Sequence, residues 1–344
     1  MAEATKPLLL TPLRYFYRQL TITPKPVNNV NLEGKTAIVT GSNTGVGFAI
    51  SRQLLELGIS RLIIAVRNEE KGKAAATKLA SDLSLNPDIA VEVWKLDLSA
   101  YDSIVAFADR ANTLSTLDIV VLNAGMWSAI KRDFNAKTGH EEVIQVNYLS
   151  NALLLILLLP IAKAKRDKQS APTRICFTSS EVAAFTKFNE RNKFPLLAEL
   201  DKPGDEVDRL DRMFISKLLV HFFIFKIAKL VPPSVAVINT ASPGAIHDSE
   251  FNRDMPQNFG YSIFKHIQKI VANSSEVGAR VVTDAAVRHG EEIHGHFLSF
   301  QRVVSLAPIV YTEEGYKIAE QLWEETMEEL SFANTREIIN RIES

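Results

Sequence analysis

Along the chain, short apolar runs alternate with stretches whose apolar residues fall three and four positions apart. Residues 36–39 form a β-branched run that stops at Gly41. Val46, Ile50, Leu54 and Leu57 then recur at helical spacing, and Gly58 stands where such a helix would end. The change of period repeats. Further strands are predicted over 61–66, 90–96, 118–122, 174–178, 235–240 and 294–300. Helices are predicted over 69–83, 101–112, 141–165, 207–230 and 276–288. Strand and helix in succession predict right-handed crossovers onto a parallel sheet covered on both faces. The fold class is therefore α/β, with a doubly wound parallel sheet.

Two stretches interrupt this alternation. Residues 181–206 are polar and hold Pro195, Pro203 and Gly204, and residues 245–262 hold Pro256 and Gly260. Both leave strand ends where ligands bind in such sheets, so they are read as a substrate rim and a lid. At the front of the chain, Thr11 and Pro12 read as N-cap and first helical residue. Leu13, Phe16, Tyr17 and Leu20 give that helix one apolar face, and Pro24 and Pro26 end it. The face is expected to pack on the body and not on a membrane, because only Arg14 and Arg18 supply positive charge. The organisation predicted is an N-terminal extension over 1–33, one α/β domain over 34–310 and a C-terminal helical tail over 311–344.

Composition narrows this little. The 344 residues are 46% hydrophobic and 23% charged, as in ordinary globular proteins. With 39 basic and 40 acidic residues the net charge is −1, which gives no reason to invoke nucleic acid. Cys176 is the lone cysteine, so no intramolecular disulfide forms and a reducing, cytoplasmic setting is expected. Leu8-Leu9-Leu10, with Pro12 close behind, is too short for a signal-peptide core. The longest apolar run, 152–162, is broken by Pro160 and falls short of a membrane span. No metal site is expected.

Candidate chemistry begins at the first turn. Gly41, Gly45 and Gly47 lie between a strand and a helix, where a dinucleotide pyrophosphate can meet free N–H groups and the positive end of the helix. This makes the sheet Rossmann-type. Twenty residues past Gly47, at the end of the second strand, stands Arg67 with no adjacent acid. A carboxylate there would hold the ribose 2′-hydroxyl of NAD, whereas a guanidinium suits a 2′-phosphate. The expected cofactor is NADP(H).

The spacing Thr-Gly-x-x-x-Gly-x-Gly over 40–47 resembles the short-chain dehydrogenase/reductase family. Further marks follow in order: Asp97, Asn123-Ala124-Gly125, Asn147, Ser179-Ser180, Ser216-Lys217 and Pro243-Gly244. The resemblance spans about residues 32–330 and is nearest to retinol-dehydrogenase-like reductases, including a fungal branch of specialised metabolism. It implies that Asn43, Thr44 and Val46 lie along the phosphates and that Asp97 and Leu98 flank the adenine. It places Asn123 and Ala124 beside the nicotinamide-side ribose, with Gly125, Pro243 and Gly244 in the same site. By its residues alone, Asp97 or Ser99 could equally cap the next helix. The family also pairs its two long helices across a two-fold axis. Since 151–162 is apolar on nearly every face and must be covered, a homodimer is expected.

The resemblance further implies a catalytic group. A tyrosine exchanges the proton, a lysine four residues on tunes it and holds the ribose, a serine bonds the carbonyl, and an asparagine keeps a relay water. Lys217, Ser180 and Asn147 fill three of these places, but Met213 stands in the tyrosine position. A thioether cannot exchange a proton. His221 lies about 12 Å further along the helix axis, too far to serve the same atom, and reads as a polar residue near an interface. Glu181 and the lid residue Tyr261 are the other protic groups nearby. Three functions follow. The first is an NADP(H)-dependent reductase of a bulky apolar carbonyl or imine, with water or another side chain giving the proton. The second is a non-redox cyclase, isomerase or condensing enzyme. The third is a cofactor-binding pseudoenzyme.

Overall fold

A computed structural model describes residues 11–204, 207–249 and 271–343. Eight strands form one sheet in the order β3-β2-β1-β4-β5-β6-β7-β8. They are β1 (Thr36–Thr40), β2 (Arg61–Val66), β3 (Ala90–Lys95), β4 (Ile119–Leu122), β5 (Thr173–Thr178), β6 (Ala236–Ser242), β7 (Phe297–Ser299) and β8 (Arg302–Val304). All pairs are parallel except β7 with β8. Strand order reverses between β1 and β4, which opens a crevice beyond their C-terminal ends. Both strands are buried along their whole length, which is why they read as continuous apolar runs.

Helices α2 (Gly45–Glu56), α3 (Glu69–Leu83) and α9 (Ser275–Val287) cover one face, packing Ile50, Leu54, Leu79 and Val282 against it. On the other lie α4 (Tyr101–Ala111), α6 (Ser150–Lys165) and α8 (Arg209–Leu230). The short α5 (Glu142–Ile144) runs into α6 through a π-helical turn, Gln145–Leu149. Beyond the sheet come α10 (Glu313–Glu329) and α11 (Thr335–Glu343). Among the described residues the remaining α-helices are α1 (Pro12–Thr21) and α7 (Leu196–Leu200).

Three elements differ from expectation. Helix α1 forms with Thr11 as its N-cap, but Leu13, Phe16, Tyr17 and Leu20 face solvent while Tyr15, Arg18 and Gln19 are buried. The polar face wins because it finds partners in the body. Arg18 pairs with buried Glu181 at 2.6 Å. The Gln19 side chain donates to the Ala245 carbonyl (3.3 Å) and accepts from its N–H (3.0 Å). Helix α6 is buried from Ser150 to Ile156 within a single chain, against α4, α11 and the sheet, while α10 lies along α8. The apolar surface behind the homodimer expectation is therefore already covered. The final strand is a hairpin, β7 and β8, turned by Phe300 and Gln301 at φ 50° and 58°.

Candidate active site

The crevice is built on the turns after β1 and β4. Gly41 has φ +64°, and a Cβ on Gly47 would sit 2.4 Å from the Gly41 carbonyl oxygen and 2.5 Å from Asn123 Nδ2. Only glycine fits there. Thr40 Oγ1 accepts from the N–H groups of Asn123 (3.0 Å) and Ala124 (2.9 Å), and Asn123 Nδ2 donates to the Thr40 carbonyl (3.0 Å). The two turns are thus braced together, leaving the first N–H groups of α2 facing the crevice without intrahelical partners.

The resulting cleft holds about 560 Å3. Gly41, Asn43, Thr44, Gly45, Val46, Gly47, Arg67, Asp97, Leu98, Asn123, Ala124, Gly125, Ser180, Met213, Lys217, Pro243 and Gly244 all line it. Asn147 does not. Its amide sits behind the wall in the π-helical turn, accepting from Met126 N–H (2.7 Å) and donating to the Met126 carbonyl (2.9 Å) and Ser216 Oγ (2.9 Å). It ties the β4 turn to α8. Neither Asp97 nor Ser99 caps α4, whose N-cap is Ala100. Asp97 Oδ1 accepts from Ser99 N–H, and the Ser99 hydroxyl donates to Glu142.

One end of the cleft is basic. Arg67 is joined there by Asn68 and Lys71, which the sequence reading missed. Asn68 Oδ1 accepts from Lys71 N–H as the N-cap of α3, a signal legible in the sequence. Neither Arg67 nor Lys71 forms an ion pair among the described residues. The opposite end is apolar, walled by Met126, Trp127, Val146, Val182 and Ile246, also unforeseen.

At this apolar end Ser180 caps a short 3-10 turn, Glu181–Ala184, with its Oγ accepting from Val182 N–H at 3.3 Å. Among the described residues its hydroxyl donates no hydrogen bond. Lys217 Nζ donates to the Thr178 carbonyl at 3.2 Å, and desolvation lowers the amine to about 8. Met213 packs one turn earlier on the same face of α8. The rotation of that turn is fixed on both sides. Arg212, 2% exposed, lies 3.1 Å from both Glu141 and Glu190, and Asp211 accepts from Lys187 N–H at 2.9 Å.

Neither His221 nor Glu181 enters the cleft. His221 is fully buried within the single chain, and its Nδ1 accepts from Ala307 N–H at 3.0 Å. Burial, helped by the Lys217 charge, pushes its imidazole down to about 3, so it is neutral. Glu181 turns away toward Arg18 and the Ser299 hydroxyl. Tyr261 and most of the predicted lid lie outside the described residues. Among the described residues of the predicted rim, Val182 alone meets the cleft, while Phe188, Leu196, Leu197 and Leu200 are buried elsewhere. The rim departs because Glu325 on α10 accepts from the N–H groups of Leu196 and Leu197 at 2.7 Å each and docks α7 there.

Comparison with known proteins identifies the family and the fold. A family model described as short chain dehydrogenase matches residues 35–191. The short-chain dehydrogenase fogG of Aspergillus ruber is 42% identical over 96% of this chain and 95% of its own length. The short chain dehydrogenase/reductase mfmJ of Annulohypoxylon moriforme is 41% identical over 95% and 94%. Among solved structures, an NADP active-site complex of Pseudomonas aeruginosa RhlG superposes with a TM-score of 0.58 at 22% identity, covering 78% of this chain and 95% of that one. A short-chain type dehydrogenase/reductase from Mycobacterium marinum gives 0.56 at 17% identity over 78% and 94%.

Proposed function

Because the chain belongs to the short-chain dehydrogenase/reductase family, we propose that it is an NADP(H)-dependent reductase of a bulky apolar carbonyl or imine, with an atypical active site in which Met213 replaces the tyrosine. The observation that carries this assignment is the continuous cleft that begins at the unpaired basic end and finishes at Ser180 and Lys217. Its residues fit the cofactor. Gly41 and Gly47 let the backbone approach a pyrophosphate, and Arg67 and Lys71 suit the extra 2′-phosphate. When bound, the reduced cofactor supplies a hydride to the substrate carbon. Trp127, Val182, Met213 and Ile246 give an apolar seat and exclude water. The Ser180 hydroxyl donates to the substrate carbonyl oxygen. Lys217, the titratable side chain at this end, protonates the oxygen as charge develops. Asn147 holds the β4 turn in register with α8.

A positioned general acid is worth about 10²–10⁴-fold in rate, so a methionine slows carbonyl reduction without forbidding it. An iminium substrate needs no acid at all. The Met213 substitution also favours a second reading, in which the pocket performs a non-redox cyclisation or isomerisation. The cofactor assignment is tested by titrating the protein with NADPH and NADH. NADPH should bind more tightly, and Arg67→Ala should shrink the difference by about tenfold, since one charge-assisted contact is lost. Equal affinities in the unaltered protein would reject it.

A further inference from the structure

Helix α1 shows solvent the face that a soluble helix normally hides. Leu13, Phe16, Tyr17 and Leu20 are 83, 51, 66 and 60% exposed and form one stripe, spaced three, one and three residues apart. Scattered exposed apolar residues are ordinary, but four large ones on ten residues of helix make a patch. The helix cannot roll to bury it. Its inner face is committed to the Arg18–Glu181 pair, the two Gln19 bonds to Ala245 and the edge contact of Tyr15 with Phe185.

Charge around the patch is one-sided. Apart from Arg18, which is buried and paired with Glu181, the first 32 residues hold three basic residues (Lys6, Arg14 and Lys25) and one acidic one, Glu3. The overall net charge of −1 conceals this local excess. Arg14 and Lys25 are exposed and form no ion pair among the described residues. In sequence, Leu8-Leu9-Leu10 extends the apolar character immediately before the helix. Apolar stripe and flanking cations together match an anionic phospholipid surface, which takes leucine and phenylalanine at its acyl boundary and basic side chains at its phosphates.

We propose that α1 docks this protein flat on an anionic phospholipid bilayer, with Leu13, Phe16, Tyr17 and Leu20 inserted and Arg14 and Lys25 at the headgroups. The inner face of the same helix holds Ala245, next to Gly244 in the cleft wall, and touches Phe185, five residues past Ser180. The apolar end of the cleft therefore lies close to the docked face, where an apolar substrate would be concentrated. The docking does not depend on the reductase assignment.

The test is co-sedimentation of the full chain with phosphatidylcholine–phosphatidylserine vesicles and with pure phosphatidylcholine vesicles. The protein should pellet with the mixed vesicles, less with the pure ones, and less again in high salt. The double variant F16E/L20E should lose about tenfold or more of this binding, because both side chains leave the acyl region. NADPH affinity and thermal midpoint should hold, which excludes misfolding. Arg14→Glu with Lys25→Glu should remove the preference for anionic lipid. Protein that stays in the supernatant with mixed vesicles, or a double variant that binds as well as the parent, overturns the proposal. So does a parent that binds no vesicle but self-associates through this face and becomes monomeric in F16E/L20E.

Discussion

At the scale of single residues, the proposed chemistry turns on Met213 and Lys217. Nearly every residue singled out from sequence lines one cleft, because each is dictated locally. Glycines stand where a side chain would collide, and Lys217 follows Met213 by one turn. What was illegible was contact across the fold: the direction of Glu181, the burial of His221 and the diversion of Asn147 behind the wall. Restoring the phenol separates the two functional readings. For a reductase that lacks only its acid, Met213→Tyr should raise NADPH-dependent reduction of an activated ketone about tenfold or more. For a non-redox enzyme it should lower the native reaction and leave reduction negligible. The lysine carries its own signature in pH. An amine lowered to about 8 is a competent acid below that value and loses its proton above it. Reduction should therefore fall as pH rises through about 8. Lys217→Arg keeps the charge but cannot give up the proton, so NADPH binding should survive while turnover falls by about 10²-fold. A rate that is flat across this range would remove Lys217 as the proton source.

At the scale of elements, the sheet strands were legible because continuous burial writes itself as apolar runs. The β7–β8 hairpin was not, since its turn uses Phe300 and Gln301 at positive φ in place of the glycine or asparagine that would announce it. The inward face of α1 was misread because Arg18 answers a carboxylate 163 residues away. A similar long-range cluster joins the segment after β4 to α10. His140 Nδ1 lies 2.6 Å from Asp201, its Nε2 lies 3.2 Å from Glu329, and Tyr101 also donates to Glu329. Burial pulls this imidazole down, but the two carboxylates outweigh it and hold it up at about 9. A folded value above the unfolded one of about 6.5 stabilises fully below pH 6.5, and the benefit is lost as pH rises through 9. The contribution is on the order of 3 kcal/mol. Lys217 acts in the opposite sense between about 8 and 10.5, because its amine is lowered on folding. The informative quantity is thus the difference between parent and His140→Gln. In urea unfolding, that difference should be large near pH 6 and close to zero near pH 9.5. A difference independent of pH would mean that folding does not raise the imidazole's pKa.

At the scale of the whole molecule, the C-terminal tail changes what the long apolar helices imply. Helix α6 needs cover on every side. In sequence that need pointed to a second copy, because the nine residues of α11 are too few to be recognised as the cover. In the fold, α11 buries Ile339 and Ile342, Lys163 of α6 donates to the Arg341 carbonyl at 2.7 Å, and α10 brings Leu322, Trp323 and Met327 into the core, with the Trp323 ring stacked on Phe223 of α8. The tail covers α6 and α8, the two long helices expected to pair in a homodimer. The full chain should therefore scatter light as a species of about 38 kDa at micromolar concentration in the absence of lipid. Removing residues 331–344 should expose the outer side of α6 and produce dimers or larger species, with the thermal midpoint lowered by several degrees, as loss of a packed apolar helix requires. A full chain that is dimeric, and a truncated chain that stays monomeric and equally stable, would show that α11 covers nothing the fold needs.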